Sequence, residues 1–202
     1  TPRPITKFMT EMTNLKLGDK ILDPACGTGG FIVDSLEYLR ENFVTTLDEE
    51  TILQLSVQGV EKKSIPFLLA ITNMLLHGIE IPENIKRGNL LTKPTRDYQT
   101  KEKVDVILTN PPFGGTEDIG VRGNFPQSYR TSETADLFLY LITQLLKNEG
   151  KAALVLPDGS LTSDNDGVKQ RIRQYLLENC NVHTIIRLPN SVFKPYAEVS
   201  TN

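Results

Sequence analysis

The composition of this chain is that of a folded globular protein. Its 202 residues are enough for one large domain, and 39% hydrophobic with 23% charged residues exclude a disordered tail. Lys and Arg number 22 against 25 Asp and Glu, which gives a net charge of −3. A protein that grips nucleic acid unaided usually carries a basic excess. If this chain acts on nucleic acid, we expect another chain to supply much of the binding affinity.

Apolar segments of strand length alternate with segments of helical character along the chain. The predicted strands lie at 20–22, within 54–61, and at 85–90, 104–108, 152–156 and 182–188. The predicted helices lie at about 5–12, 31–43, 65–76, 136–146 and 163–178. This alternation is typical of an α/β protein whose mostly parallel sheet carries helices on both faces.

Local signals refine three of these segments. Residues 1–4 (TPRP) predict a stiff, extended opening, and the apolar stripe that follows at helical spacing predicts a short amphipathic helix; the stripe consists of Ile5, Phe8, Met9 and Met12. Ser163 and Asp166 resemble a capping box at the start of the last helix. Residues 114–131 are polar and without period, which is typical of a functional or mobile loop.

Few residues are available for metal or redox chemistry. Cys26 and Cys180 form neither a disulfide framework nor a zinc site, and only two histidines accompany them. No apolar run approaches the roughly 20 residues of a membrane span, and no signal peptide opens the chain. We therefore expect no metal, no membrane contact and a cytoplasmic location.

The most regular turn is a glycine-rich one after the first strand. A strand, a glycine turn and a helix N-terminus bring backbone N–H groups and a helix dipole to a ligand, and Gly27 and Gly29 permit close approach. The dinucleotide fingerprint requires a third glycine where Ile32 stands, which disfavours a nicotinamide cofactor and a dehydrogenase. Asp23, at the end of the strand, suits a cationic ligand with an amino-acid end. These features favour S-adenosylmethionine.

Two further polar residues follow neighbouring strands. Glu61 ends the second strand, where a carboxylate can hold both ribose hydroxyls of a nucleoside. Asn89 ends the third strand, and its amide can hydrogen-bond an adenine edge; a turn residue is the equally good alternative.

The sequence Asn-Pro-Pro-Phe at 110–113 is the most informative stretch. Two prolines directly after a buried strand end any ladder and fix the direction of the Asn110 side chain. Asn110 and the Pro111 carbonyl can accept both hydrogen bonds of an exocyclic amino group and stabilise the charge that develops on methyl transfer. Phe113, after Pro112, offers a stacking surface for a base held outside the duplex.

Together these motifs resemble the amino-group DNA methyltransferases of the N6-adenine type, and most closely the modification (methylase) subunit of type I restriction–modification systems. The resemblance is carried by residues 23–31 (DPACGTGGF) and 110–113 (NPPF), and it continues at 1–3, 73–78, 150–159, 185–189 and 192–193. It implies a Rossmann-like, class I S-adenosylmethionine-dependent methyltransferase domain spanning 1–202. It also implies a piece of a longer subunit, from which the final strand of the sheet is missing.

The resemblance implies a role for each matching residue. The cofactor-binding set consists of Thr1, Pro2, Asp23, Ala25, Gly27, Gly29, Glu61 and Asn89. The catalytic set consists of Asn110, Pro111, Pro112 and Phe113, and Phe193 matches a second aromatic wall for the target base. The implied partners are double-stranded DNA with a flipped adenine, a specificity subunit and a restriction subunit, which would account for the mildly acidic charge.

Other functions remain open at this point. Asn-Pro-Pro with an aromatic residue also serves methyl transfer to adenine in RNA or to a glutamine amide in a protein, although the latter enzymes more often carry Tyr in place of Phe113. A non-catalytic, cofactor-binding scaffold is a further alternative. The basic residues of the last helix are interpreted as a solvated face, with an approach to DNA or a partner as the alternative; they are Lys169, Arg171 and Arg173.

Overall fold

The computed structural model describes residues 1–79, 82–163, 167–194 and 200–202. Within these ranges the strands are Ile21–Asp23 (β1), Val57–Glu61 (β2), Ile85–Arg87 (β3), Val104–Thr109 (β4) and Leu146–Leu154 (β5). The helices are Arg3–Thr13 (α1), Gly30–Phe43 (α2), Leu47–Ser56 (α3), Ser64–Leu76 (α4), Ile119–Arg122 (α5), Thr134–Leu145 (α6), Asp158–Thr162 (α7) and Val168–Asn179 (α8).

The five strands form one parallel sheet in the order β3-β2-β1-β4-β5. The central strand β1 pairs with β2 on one side and β4 on the other, with Ile21 opposite both Val57 and Val106. All three residues of β1 are buried, as are five of the six in β4, because a parallel strand is covered on both faces. The predicted α/β class is confirmed. The chain order reverses between β1 and β4, the position at which open α/β sheets bind ligands.

The described residues divide into two compact units. The sheet unit comprises 1–90, 104–110 and 146–154, and it contains the whole sheet with α1 to α4. The helical unit comprises 91–103, 111–145 and 155–202, and it contains α5 to α8.

A glycine in β2 lets α2 lie unusually close to the sheet. A Cβ atom added at Gly59 would lie 2.5 Å from Ile32 Cδ1 and 3.0 Å from both Cys26 Sγ and Ile85 Cδ1. Real Cβ atoms do not make contacts this short, so any other residue at position 59 would displace its neighbours.

The first helix forms, but it begins earlier than the sequence predicts and buries a different face. Pro2 is the extended N-cap, so the predicted extended opening at 1–4 is wrong beyond Pro2. Of the predicted apolar stripe only Met9 is buried, whereas Met12 is 62% exposed. The buried face, which packs on α2, consists of Thr6, Met9, Thr10 and Thr13. Small threonine side chains permit this close helix packing.

Helix α3 was not predicted, although the sequence carries its start signal. Thr46 Oγ1 accepts a hydrogen bond from Glu49 N at 3.3 Å, and Glu49 Oε2 accepts one from Thr46 N at 2.9 Å. This reciprocal pair is a capping box. The helix runs directly into β2, and the strand predicted within 54–61 is confirmed as Val57–Glu61.

The segment 114–131 is more structured than the sequence predicts. It contains α5, and Phe125 in its second half is 2% exposed. The Tyr129 ring stacks on Tyr140 of α6 with centroids 4.5 Å apart, and Arg130 donates to the Phe125 carbonyl. Although the segment is polar in composition, its aromatic residues pack its second half against the rest of the helical unit.

The predicted sixth strand at 182–188 is wrong. Residues 181–187 are exposed and belong to no ladder among the described residues, and Leu188 N donates to the Thr201 carbonyl. Apolar residues alone do not make a strand, because the backbone also needs a neighbouring strand. Two smaller differences accompany this one: β3 ends at Arg87 rather than at residue 90, and α8 begins at Val168. Asp166 of the predicted capping box lies outside the described residues.

Candidate functional site

Three polar residues of the sheet unit come together at the carboxyl edge of adjacent strands. Asp23 is the last residue of β1, Glu61 is the last residue of β2, and Asn110 directly follows β4. Since β2, β1 and β4 are parallel neighbours, their carboxyl ends lie side by side. The structure therefore brings together the residues that the sequence singled out separately.

The glycine turn leaves open space beside Gly27. Gly27 has a φ of 55°, which favours glycine, and no heavy atom of the described residues lies within 4 Å of the position that its Cβ would occupy. Gly29 differs, because its Cβ position lies 3.3 Å from Met74 Cε in α4. The room for a ligand is thus at Gly27, whereas Gly29 closes the turn against a helix.

The Glu61 carboxylate is fixed by backbone N–H groups on two sides. Oε2 accepts a hydrogen bond from Gly27 N at 2.9 Å, and Oε1 accepts one from Lys63 N at 2.6 Å. The Gly27 N–H therefore holds the acid rather than pointing at a ligand. Two carboxylate oxygens offer about four acceptor positions, so capacity for further hydrogen bonds remains.

Asp23 is a buried carboxyl group, 2% exposed. Its Oδ1 accepts hydrogen bonds from Thr109 Oγ1 at 2.6 Å and from Ala25 N at 3.1 Å. Burial raises the pKa of Asp23 to about 7, against the opposing effect of these two hydrogen bonds, and the nearby Glu61 charge raises it further. A cation placed beside this group would favour its ionised form.

Asn110 presents a hydrogen-bond acceptor without a partner. Its Nδ2 donates to Thr1 Oγ1 at 2.9 Å, which ties down one end of the carboxamide. The other end, Oδ1, is buried and accepts no hydrogen bond from the described residues. A buried acceptor left unsatisfied costs about 1–3 kcal/mol, so this atom is placed for a donor that the described residues do not provide.

Three further residues were predicted to bind the cofactor: Pro2, Asn89 and Ala25. Pro2 is the N-cap of α1, and its carbonyl accepts from Ile5 N and Thr6 N. Asn89 lies two residues beyond the end of β3, rather than on its last position. Ala25 contributes its backbone N–H to Asp23.

The helical unit contains the rest of the predicted catalytic motif. Pro111 is buried, Pro112 is exposed and Phe113 is half-buried. The Phe113 ring meets Phe193 edge to face, with centroids 5.8 Å apart and planes at 88°. The two aromatic residues that the sequence assigned to one base therefore contact each other, although 79 intervening residues separate them in the chain.

Comparison with known proteins agrees with this geometry. The family model for N-6 DNA methylases matches residues 1–202. The chain belongs to the N-6 DNA methylase family. It is 52% identical over 202 residues to the methylase subunit of the type I restriction enzyme EcoEI of Escherichia coli, covering all of this chain and 40% of that protein.

Solved structures show the same relationship. The chain matches a Vibrio vulnificus protein assigned as the modification subunit of a type I restriction enzyme, with 48% identity and a TM-score of 0.92, over 100% of this chain and 42% of that one. A Listeria monocytogenes protein assigned as a class I S-adenosylmethionine-dependent methyltransferase matches at 20% identity with a TM-score of 0.72, over 98% and 57% of the two chains. The predicted Rossmann-like methyltransferase fold is confirmed. The chain spans about 40% of the EcoEI subunit's length.

Two residues that stabilise the carboxyl edge of the sheet had no predicted role. Asn73 Nδ2 donates to the Thr28 carbonyl at 2.7 Å and so fastens the glycine turn to α4. Thr109 donates its hydroxyl proton to Asp23. Asn73 opens the motif at 73–78, which gave a signal in the sequence, whereas Thr109 is an ordinary strand residue and gave none.

The basic residues of α8 make contacts within the chain. Lys169 is 6% exposed, and its Nζ lies 2.6 Å from Glu133 Oε2 and 3.0 Å from Asp136 Oδ2. Burial acts to lower the pKa of Lys169, but hydrogen bonds to these two acids outweigh it and raise the pKa. Arg171 and Arg173 donate to backbone carbonyls of the helical unit. The interpretation of a solvated basic face is therefore wrong for Lys169, whereas Arg171 is exposed and Arg173 is partly exposed.

The cysteine of the glycine turn is buried. Cys26 is 5% exposed, and burial raises the pKa of its thiol. Within the described ranges, no cluster of three or more His, Cys, Asp or Glu side chains is arranged to hold a metal ion. In the same ranges, every helix falls short of the length and hydrophobicity that a membrane span requires.

Proposed function

We propose that this chain is the catalytic domain of a site-specific DNA methyltransferase that transfers a methyl group from S-adenosylmethionine to the exocyclic amino group of adenine. The observation that carries the proposal is the buried, partnerless Oδ1 of Asn110 at the ligand-binding edge of a methylase fold. Membership of the N-6 DNA methylase family supports it.

The sheet unit fits the cofactor. Open space at Gly27 admits a ligand close to the backbone, and the fixed Glu61 carboxylate is placed to accept hydrogen bonds from two ribose hydroxyls. Asp23 suits the cationic amino-acid end, where Thr1 and Pro2 also belong by the family motif. Asn89 is proposed for the adenine edge of the cofactor. When bound, S-adenosylmethionine supplies an activated methyl group.

The chain's own contribution to the reaction is to orient and polarise the acceptor nitrogen. The lone pair of an exocyclic amino group is delocalised into the base, which makes the nitrogen a poor nucleophile. Asn110 Oδ1 and the Pro111 carbonyl accept its two hydrogen bonds, favour a tetrahedral nitrogen and stabilise the positive charge that develops on it. No covalent nucleophile is required, in keeping with the high pKa of the buried Cys26.

The target base is proposed to stack on the aromatic pair of Phe113 and Phe193. Adenine inside a duplex is out of reach, so the enzyme must hold it flipped out, and aromatic side chains replace the lost stacking. Both residues enter through the family motif, and their mutual contact supports a shared role.

We further propose that the whole protein is the modification subunit of a type I restriction–modification system and works with a specificity and a restriction subunit in the cytoplasm. The names of its relatives support this, as does the net charge of −3, which suits a subunit whose partner reads the DNA. Residues 1–202 would form a single catalytic domain within that subunit.

The test compares the intact subunit with its Asn110→Ala variant in the source cell. Removing one interaction of this kind costs about 10²–10³ in rate, so methyladenine at one split recognition sequence should disappear from a genome-wide modification map. The control is Asn148→Ala, since Asn148 is exposed and lies in β5. Identical methylation in wild type and Asn110→Ala would refute the proposal and direct the search to RNA or protein substrates.

A further inference from the structure

The catalytic asparagine is held by a residue far away in the chain. Asn110 Nδ2 donates to Thr1 Oγ1 at 2.9 Å, although 109 positions separate the two residues. Resemblance assigns Thr1 to the cofactor, which leaves this hydrogen bond without an explanation.

Thr1 is itself firmly supported. The next residue, Pro2, has a φ of −61° and caps α1, and its carbonyl accepts from Ile5 N and Thr6 N. Arg3, the first residue of α1, forms an ion pair with the buried Asp34 of α2. The Thr1 hydroxyl is thus presented by a proline cap and an anchored helix, and a hydrogen bond to it restricts the Asn110 side chain.

Asn110 can serve the reaction only when the oxygen end of its carboxamide, and not the NH₂ end, faces the substrate amino group. A rotation by 180° about its last side-chain torsion exchanges Oδ1 for an NH₂ group, which would point donors at an amino group that itself donates. A threonine hydroxyl has one proton to donate and can accept. In the structure Thr1 Oγ1 is the acceptor and the NH₂ end of Asn110 is the donor, which places Oδ1 at the opposite end of the carboxamide.

We propose that Thr1 is a positioning residue that holds the NH₂ end of Asn110, so that Oδ1 stays directed at the amino group to be methylated. This inference rests on the proposed function and deepens it. It accounts for both ends of one side chain: a satisfied donor on Thr1 and a buried acceptor without a partner.

The kinetic test uses the intact subunit assembled with its specificity partner, with S-adenosylmethionine and DNA at saturation. Thr1→Val keeps the shape but removes the acceptor, and we expect kcat to fall about 10–100-fold because a misplaced group costs about that much. Thr1→Ser keeps the hydroxyl and should stay within about threefold of wild type. An unchanged kcat with a raised KM for the cofactor would show that Thr1 serves cofactor binding alone and would overturn the proposal.

A double-mutant cycle separates positioning from general loss of structure. In the Asn110→Ala background there is no carboxamide left to orient, so Thr1→Val should cause no further loss of kcat. Additive losses would contradict the proposal, since they would mean that Thr1 acts independently of Asn110.

A third readout does not depend on methyl transfer. In the intact subunit labelled with ¹⁵N-asparagine, the Asn110 side-chain NH₂ protons should be protected from exchange in wild type and Thr1→Ser but not in Thr1→Val. Equal protection in all three would overturn the proposal. If wild type transfers no methyl group to DNA, the proposed function fails, while this measurement still decides whether Thr1 holds Asn110.

Discussion

Gly59 gives the sharpest test of how the sheet packs. In Gly59→Ala the new Cβ would lie 2.5 Å from Ile32 Cδ1 and 3.0 Å from Cys26 Sγ and Ile85 Cδ1, so either the Ile32 side chain must change its conformation or β2 and α2 must separate. Overpacking of this kind costs about 1–3 kcal/mol, and the smaller entropy of the unfolded alanine chain offsets up to about 1 kcal/mol. We expect a net destabilisation of about 1–2 kcal/mol.

The assay is urea unfolding of the intact subunit, followed by far-ultraviolet circular dichroism. The matched control is Gly88→Ala, whose Cβ would lie 3.8 Å from Val60 Cγ1, an ordinary contact, so stability should change by less than about 0.5 kcal/mol. The decisive variant combines Gly59→Ala with Ile32→Val, which removes the Cδ1 atom in the way. Ile32→Val alone costs about 0.5–1.5 kcal/mol, and the double variant should be more stable than the sum of the two losses by about 1 kcal/mol. Strict additivity would refute the reasoning, because it would place the strain elsewhere.

Three further substitutions test the electrostatics and the helix caps. The pKa of Asp23 is about 7 when folded against 3.8 for an ordinary Asp, so its contribution to stability is full below about pH 4 and is lost as the pH rises to about 7. Asp23→Asn should flatten this fall in urea midpoints measured across that range, and an unaltered pH profile would contradict the assignment. Lys169→Met leaves the buried Asp136 without its cation and should cost about 3–5 kcal/mol in chemical unfolding, most of which Asp136→Leu in the same chain should restore. Thr46→Ala removes one half of the α3 capping box and should lower stability by about 1 kcal/mol, whereas an exposed threonine away from a cap, Thr72, should be nearly neutral to the same change.

The elements that the sequence predicted well are those with a local signature. β1 and β4 are rich in apolar residues because both faces of a parallel strand are buried. Helix α3 was missed although Thr46 and Glu49 give its start signal, since its apolar residues mostly face outward. The strand at 182–188 was predicted wrongly for the opposite reason: its apolar residues are present, but a strand also depends on a neighbour that local sequence does not reveal.

Some features of the candidate site could likewise be predicted from local sequence and others could not. The positions of Asp23, Glu61 and Asn110 follow from strand ends, because parallel strands present their carboxyl ends at one edge. The hydrogen bond from Asn110 to Thr1 joins distant segments and has no local pattern. Lys169 was wrongly predicted to be solvated. The two acids that pair with it lie on and beside α6, and the sequence around Lys169 gives no information about them.

The strand order has a consequence for how the chain is made. Asp23 at the end of β1 receives its hydrogen bond from Thr109, which is synthesised 86 residues later. At about 5–20 residues per second on the ribosome, the first strand waits roughly 4–17 s for the neighbour that completes its pairing. During that interval one edge of β1 is open, and a carboxyl group destined for burial is still in contact with water. Because β1 is translated before both of its neighbours in the sheet, β2 and β4, the centre of the sheet is completed only once β4 has been made, and slow decoding between β1 and β4 would lengthen that interval.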